Sequence, residues 1–281
     1  MTLPAASAML KSIGCSRGAS LGEGGWRAAN AIHNDLGAAM GSEGRWELQL
    51  IGGWQLRRDH VPVKVAMRQQ RLIAALALYG RQSRAFLAGL LWPDSSESQA
   101  AGSLRESIFL INKHLPGLLG QTADPLDLSR TVSVDVLDVR MRAARLQDHP
   151  GLNRGLLRLV EDTELLPGWY EDWVVAEQER WQRLRLTVLE RLARQYLDQG
   201  NTEQAMEAAR AATLIEPLRE SAQRLLMQAC LAEGNHAEAL RLYQSFRVRL
   251  RREFGVAPSA IIADLIEPLL MDDAGDERKV R

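Results

Sequence analysis

The dipeptide Gly200-Asn201 recurs as Gly234-Asn235, a shift of 34 residues, and this repeat constrains the chain more than any other feature. Under the same shift Leu197 falls on Leu231, Ala205 on Ala239 and Met206 on Leu240, so small and apolar residues return at matching places. A period of this length is one helix-turn-helix unit, which cannot bury its apolar face alone and is stabilised by stacking on its neighbours. Beyond Asp135 the chain is therefore expected to be helical, with helices near 136–148, 152–162, 170–199, 202–214, 218–233, 236–253 and 258–270. Pro217 and Pro258 stand near helix starts, and Gly255 follows a C-terminus. The acidic run 272–277 reads as a frayed tail.

Ahead of Asp135 the period changes. Trp46, Leu48 and Leu50, then Trp54 and Leu56, alternate with other residues, interrupted by Gly52-Gly53 and by Asp59-His60 before Val61-Pro62-Val63. Alternation broken by turn residues predicts a small antiparallel sheet. Three helical stretches follow: Ala66 to Tyr79, Arg84 to Trp92 with Ser83 as N-cap, and Glu97 to Leu115. Pro93 stops the second; Ser96 and Gln99 have capping-box spacing at the start of the third, and Pro116-Gly117 ends it. Leu126 and Leu128, then Val132 and Val134, alternate on either side of Ser129-Arg130, which predicts a closing hairpin. The expected fold is mainly α. It has an N-terminal winged helix-turn-helix with a small β-sheet and wing over 45–135, then an all-α tetratricopeptide-like domain over 136–271. Half of residues 1–44 are Gly, Ala or Ser without a sustained period, so this segment is expected to be a flexible arm, and 272–281 a tail.

Composition excludes little by itself, because 25% charged and 46% apolar residues are ordinary for a globular chain. Its distribution says more. Residues 45–134 hold 11 Lys and Arg against 7 Asp and Glu, whereas 135–281 hold 21 against 25, so the surplus suited to a polyanion lies in the sheet-and-helix part. No run approaches the ~18 apolar residues of a membrane span, and no signal-peptide pattern opens the chain, so a cytoplasmic protein without a membrane partner is expected.

Enzyme chemistry finds no support. Cys15 and Cys230 are too few for a disulfide framework, and His33, His60, His114, His149 and His236 have no metal-ligand spacing. Gly18-Ala19-Ser20-Leu21-Gly22 has nucleophile-elbow spacing but lacks the flanking strand and helix, and the absence of any Gly-Lys dipeptide rules out a Walker A loop. No catalytic residue, metal or cofactor is expected.

Three stretches carry a family resemblance. They are Ser83-Arg84 through Leu87-Ala88-Gly89-Leu90-Leu91-Trp92-Pro93-Asp94; Ser103-Leu104-Arg105; and Leu165-Leu166-Pro167-Gly168-Trp169-Tyr170-Glu171-Asp172-Trp173-Val174-Val175-Ala176-Glu177. Together they resemble the SARP/BTAD family of bacterial transcriptional activators over about residues 45–270, the third stretch matching the opening of the long helix of its activator domain. The resemblance implies an OmpR-like winged helix fused to a tetratricopeptide-like domain. It further implies recognition of direct repeats in double-stranded promoter DNA and recruitment of RNA polymerase.

On the third helix Leu104, Ile108, Ile111 and Leu115 form one apolar stripe, leaving Ser103, Arg105, Glu106, Phe109, Asn112 and Lys113 on the opposite face. Arg105 suits a guanine edge and Asn112 an adenine, while Lys113 and Ser103 suit phosphates or base edges. Arg130 at the wing tip suits a minor groove or phosphate, and Arg84, with Arg68, Arg71 and Arg81, the phosphate backbone. Phe109 has two readings, contact with a thymine methyl or packing against another domain, and packing is favoured. Where relatives carry basic residues late in this helix, Leu110 and Asn112 stand here. Trp169, Tyr170, Trp173 and Trp181 are expected in the core, and Arg247, Arg249, Arg251 and Arg252 complement a helix C-terminus or contact DNA or polymerase. A homodimer is compatible with the repeat array. A second functional reading stays open: a tetratricopeptide-type protein-interaction module whose winged helix has weak or no DNA affinity.

Overall fold

The computed structural model describes residues 44–120, 124–146, 153–161 and 163–276, with the backbone alone for 153–154 and 271–276. Apart from Gly44, the expected arm lies outside the described residues, as do 277–281 of the expected tail.

Strand β1 (Trp46–Gln49) buries Trp46 and Leu48 and turns Glu47 and Gln49 outward, the alternation its sequence spells. It pairs antiparallel with β2 (Gln55–Arg58), Leu48 opposite Leu56, and β2 pairs antiparallel with β3 (Val61–Pro62). Gly52 at φ 76° and Gly53 at φ 140° make the first turn, positions a side chain would strain. The expected sheet is thus present, with one addition: β4 (Ser133–Val134) joins parallel to β1, giving the order β3-β2-β1-β4.

The closing hairpin is corrected. Leu126 bridges to Gln82 and Leu128 to Leu119, while Val134 pairs with Leu48 of β1, so the two arms around Ser129-Arg130 take different partners. Alternation reports which side chains share a face and carries no information about which strand lies alongside.

Helices α1 (Met67–Tyr79), α2 (Arg84–Leu91) and α3 (Glu97–His114) follow as expected. The Ser83 hydroxyl accepts from the Phe86 N–H, and Ser96 with Gln99 closes the capping box at the start of α3. The remaining helices are α4 (Asp135–Ala144), α5 (Asn153–Val160), α6 (Asp172–Asp198), α7 (Thr202–Ile215), α8 (Glu220–Ala232), α9 (His236–Phe254) and α10 (Ala260–Asp276). α10 runs past residue 272, where a frayed tail was expected; acidic composition marks solvation, and it is compatible with continued helix.

The 34-residue repeat is visible atom by atom. Gly200 (φ 71°) donates to Leu197 and Asn201 to Tyr196; one repeat on, Gly234 (φ 80°) donates to Leu231 and Asn235 to Cys230. Ala205 and Ala239, each buried, allow close approach of the paired helices. Successive helices from α6 to α10 pack on one another in chain order.

The sheet-and-helix part is held against this array by the stretch 164–177. Gly52 donates to the Glu164 carbonyl at 2.7 Å and Leu166 to the Leu50 carbonyl at 2.9 Å, which extends the β1 end. Trp169 stacks on Trp54 with centroids 6.1 Å apart, and Trp173 meets Tyr79 at 6.3 Å. The Gln178 amide donates to the carbonyls of Leu165 at 3.0 Å and Leu166 at 3.1 Å, fixing the turn that aims both indoles. Trp169, Trp173 and Trp181 are buried, as expected, but Tyr170 is 84% exposed. It stands between a buried Trp169 and the start of α6.

Candidate nucleic-acid interface

α3 is set in rotation by its buried side. Leu104, Ile108, Ile111 and Leu115 are buried together with Ser107, whose hydroxyl donates to the Ser103 carbonyl at 2.9 Å. Turning the helix would expose that stripe, at a cost of about 1.5–3 kcal/mol for each large apolar side chain. Arg105, Phe109, Asn112 and Lys113 consequently face solvent, and Ser103 is half-buried at the edge. Among the described residues, neither Arg105 nor Lys113 makes an ion pair.

The other candidates sit on neighbouring elements. Arg84 opens α2, its backbone N–H donating to Asp124 Oδ1 at 3.0 Å. Arg84 and Arg105 line the same cleft of about 700 Å³ between α2 and α3, whose walls include Ala88, Gly89, Ala101 and Trp92. Arg130 is exposed on the turn before β4. Of the wider set, Arg68 pairs with Glu106 at 2.7 Å over the Trp92 ring, which withdraws one acid of the α3 face from repelling a polyanion. Arg71 is committed elsewhere: it pairs with Glu171 at 3.1 Å and donates to the Leu91 carbonyl, so it joins the two parts of the chain.

The expectation that Phe109 packs is not met, since its side chain is 63% exposed. A helical wheel could have placed it there, because it lies on the side opposite Ile111; its bulk argued the other way.

Residue-by-residue reading missed the polar groups that hold this arrangement. Asp135 accepts from the N–H groups of Leu50 at 3.0 Å and Ile51 at 2.9 Å. Burial pushes its carboxyl above the ordinary aspartate range, against the pull of these donors and of Val136 N–H. Glu177, 1% exposed, takes Arg140 and Arg180 together. Arg185 donates to the carbonyls of Val160 and Glu161, capping α5 from α6. Apart from the i,i+3 pair of Glu177 with Arg180 and the bond from the adjacent Val136, neither spacing nor a motif announces these, because the other partners are remote in sequence. Among the described residues no helix is long and apolar enough to cross a membrane.

Comparison with known proteins bears on the whole arrangement. Residues 153–270 match the family model described as the bacterial transcriptional activator domain. The chain is 30% identical over 270 residues to the regulatory protein AfsR of Streptomyces coelicolor, covering 89% of this chain and 27% of that one. It is 30% identical over 228 residues to AfsR of Streptomyces griseus, covering 73% and 22%. It therefore spans about a quarter of the length of these curated relatives. Its fold resembles Mycobacterium tuberculosis EmbR, solved in complex with a low-affinity phosphopeptide, with a TM-score of 0.66 and 20% identity over 82% of this chain and 66% of that one. Residues 153–270 thus carry the bacterial transcriptional activator domain, and the whole arrangement, a winged helix with a capped third helix joined through the 164–177 stretch to a helical array, makes this chain similar to these regulatory proteins.

Proposed function

We propose that this chain is a DNA-binding transcriptional activator that lays α3 in the major groove of promoter DNA, with residues 45–135 as the DNA-binding part and 136–271 as the activator part. One observation carries the reading: the buried stripe of α3 holds Arg105, Asn112 and Lys113 outward and solvated, with Arg105 and Lys113 free of ion pairs among the described residues. Arg105 reads a guanine edge, Asn112 an adenine, and Lys113, Ser103, Arg84 and Arg130 hold phosphates or flanking edges. The relatives named as regulatory proteins support a regulatory role; the direct-repeat operator, on which two copies sit side by side, and the recruitment of RNA polymerase are what the resemblance of the sequence to the SARP/BTAD family implies. The protein works in the cytoplasm, and the proposal assigns it no catalysis.

A binding titration of the full chain against DNA upstream of its own gene, at several salt concentrations, tests this. Each phosphate neutralised steepens the logarithmic salt dependence by about 0.9, so several phosphate contacts give a steep fall in affinity. No binding, or a flat dependence, overturns the reading in favour of a protein-interaction module.

A further inference from the structure

We propose that Phe109 is a specificity-determining residue, its ring seated against the C5-methyl group of a thymine in the major groove. The inference rests on α3 entering DNA and deepens that reading by naming part of the sequence recognised.

Phe109 lies one helical turn from Arg105 and one from Lys113, and both cations are exposed. Its neighbours in sequence, Ile108 at 5% and Ile111 at 0% exposure, are locked in the core, so its ring has no route inward. Phe246 is buried at 3% exposure, but Phe86 and Phe254 are exposed at 41% and 66%, so it is the place of Phe109 on the solvent face of α3, and not exposure alone, that sets it apart.

The surroundings decide between a protein and a base as the occupant. An apolar contact for a protein partner is a patch of several large side chains. Phe109 is instead a single phenyl ring bracketed by Arg105, Glu106, Asn112 and Lys113, all exposed, with the Glu106 carboxylate paired to Arg68. One apolar island between two cations matches the major groove, where phosphates flank the base edges and the thymine methyl is the apolar group presented. One turn of helix rises about 5.4 Å, and bases on a strand are about 3.4 Å apart. The thymine therefore lies within two base steps of the guanine read by Arg105.

The test uses the full chain and the stretch of upstream DNA it protects in footprinting, prepared once with thymine and once with uracil throughout the protected region. Uracil pairs alike and lacks only the methyl group. Wild type is expected to bind the uracil duplex about fourfold more weakly, the loss of one buried methyl-sized contact of about 0.8 kcal/mol at 1.4 kcal/mol per tenfold. Phe109→Ala is expected to bind the two duplexes alike, and Phe109→Leu to keep part of the difference. Equal wild-type affinity for both, or discrimination that survives in Phe109→Ala, overturns the inference; with the salt dependence intact, that result leaves the DNA-binding reading standing. A change in self-association in Phe109→Ala with discrimination unchanged overturns it too. Failure of wild type to bind the thymine duplex sinks both. Should Phe109→Ala misfold, the wild-type and Phe109→Leu comparisons decide.

Discussion

The Asp135 carboxylate accepts the backbone N–H of Ile51 at 2.9 Å, across 84 residues of chain. Oδ2 also takes the Leu50 N–H, and Oδ1 the Val136 N–H at 2.7 Å, so one side chain at the head of α4 satisfies both the end of β1 and its own helix start. The end of the first strand and the head of α4 are thereby held together by hydrogen bonds, while the 164–177 stretch joins the same strand end to the helical array. The face of α3 is presented from that joint body.

Asp135→Ala removes the acceptor from these donors and is expected to destabilise the fold by about 1–3 kcal/mol, read from denaturant unfolding. The pH dependence follows from the raised carboxyl. With its folded pKa above the unfolded one, the folded state binds more protons between the two values. Wild-type stability relative to Asp135→Asn is expected to fall as pH rises from the ordinary aspartate range through the raised value, then to level off.

Trp169→Ala removes the ring stacked on Trp54 and edge-on to Trp173. A loss of about 3–5 kcal/mol is expected. Because Trp54 belongs to the sheet side and Trp173 to the array, fluorescence and helical circular dichroism should still report one shared transition. Separate transitions would show that the two parts fold independently.

Glu177→Gln leaves Arg140 and Arg180 without their common carboxylate. Arg140 is 34% exposed and Arg180 57%, so solvent screens part of the loss. The measured destabilisation is expected between about 1 kcal/mol for an exposed pair and about 3 kcal/mol, the lower bound for breaking a buried one.

On DNA, Lys113→Ala is expected to weaken binding to all sequences and reduce the salt slope by about 0.9. Arg105→Ala should instead lose about 1–3 kcal/mol of discrimination at one base pair, with helical circular dichroism intact. Competition titrations with singly substituted duplexes separate the two outcomes.

Local signals were legible where the interacting groups are close in sequence. Ser96 and Gln99 form the capping box their spacing announced, and Leu104, Ile108, Ile111 and Leu115 bury as the stripe they spell. The polar residues opposite were equally readable, because helix geometry places them once the stripe is known. The pairing of Leu126 and Val134 was not, since their partners, Gln82 and Leu48, come from distant segments, and Leu128 turns back on Leu119 rather than toward the expected hairpin arm.

The sequence by itself determined the period-two strands, the capped helices and the 34-residue repeat, because each is written in residues within a few turns of one another. Only the tertiary structure decided that Asp135 ties the end of β1 to the head of α4, that Glu177 joins α4 to α6 and Gln178 braces the 165–169 turn, that Tyr170 and Phe109 stay outside the core, and that Arg71 is spent on Glu171 while Arg105 remains free of ion pairs among the described residues. Those outcomes depend on which remote groups meet and exclude water, and in a chain written residue by residue that distance leaves no trace.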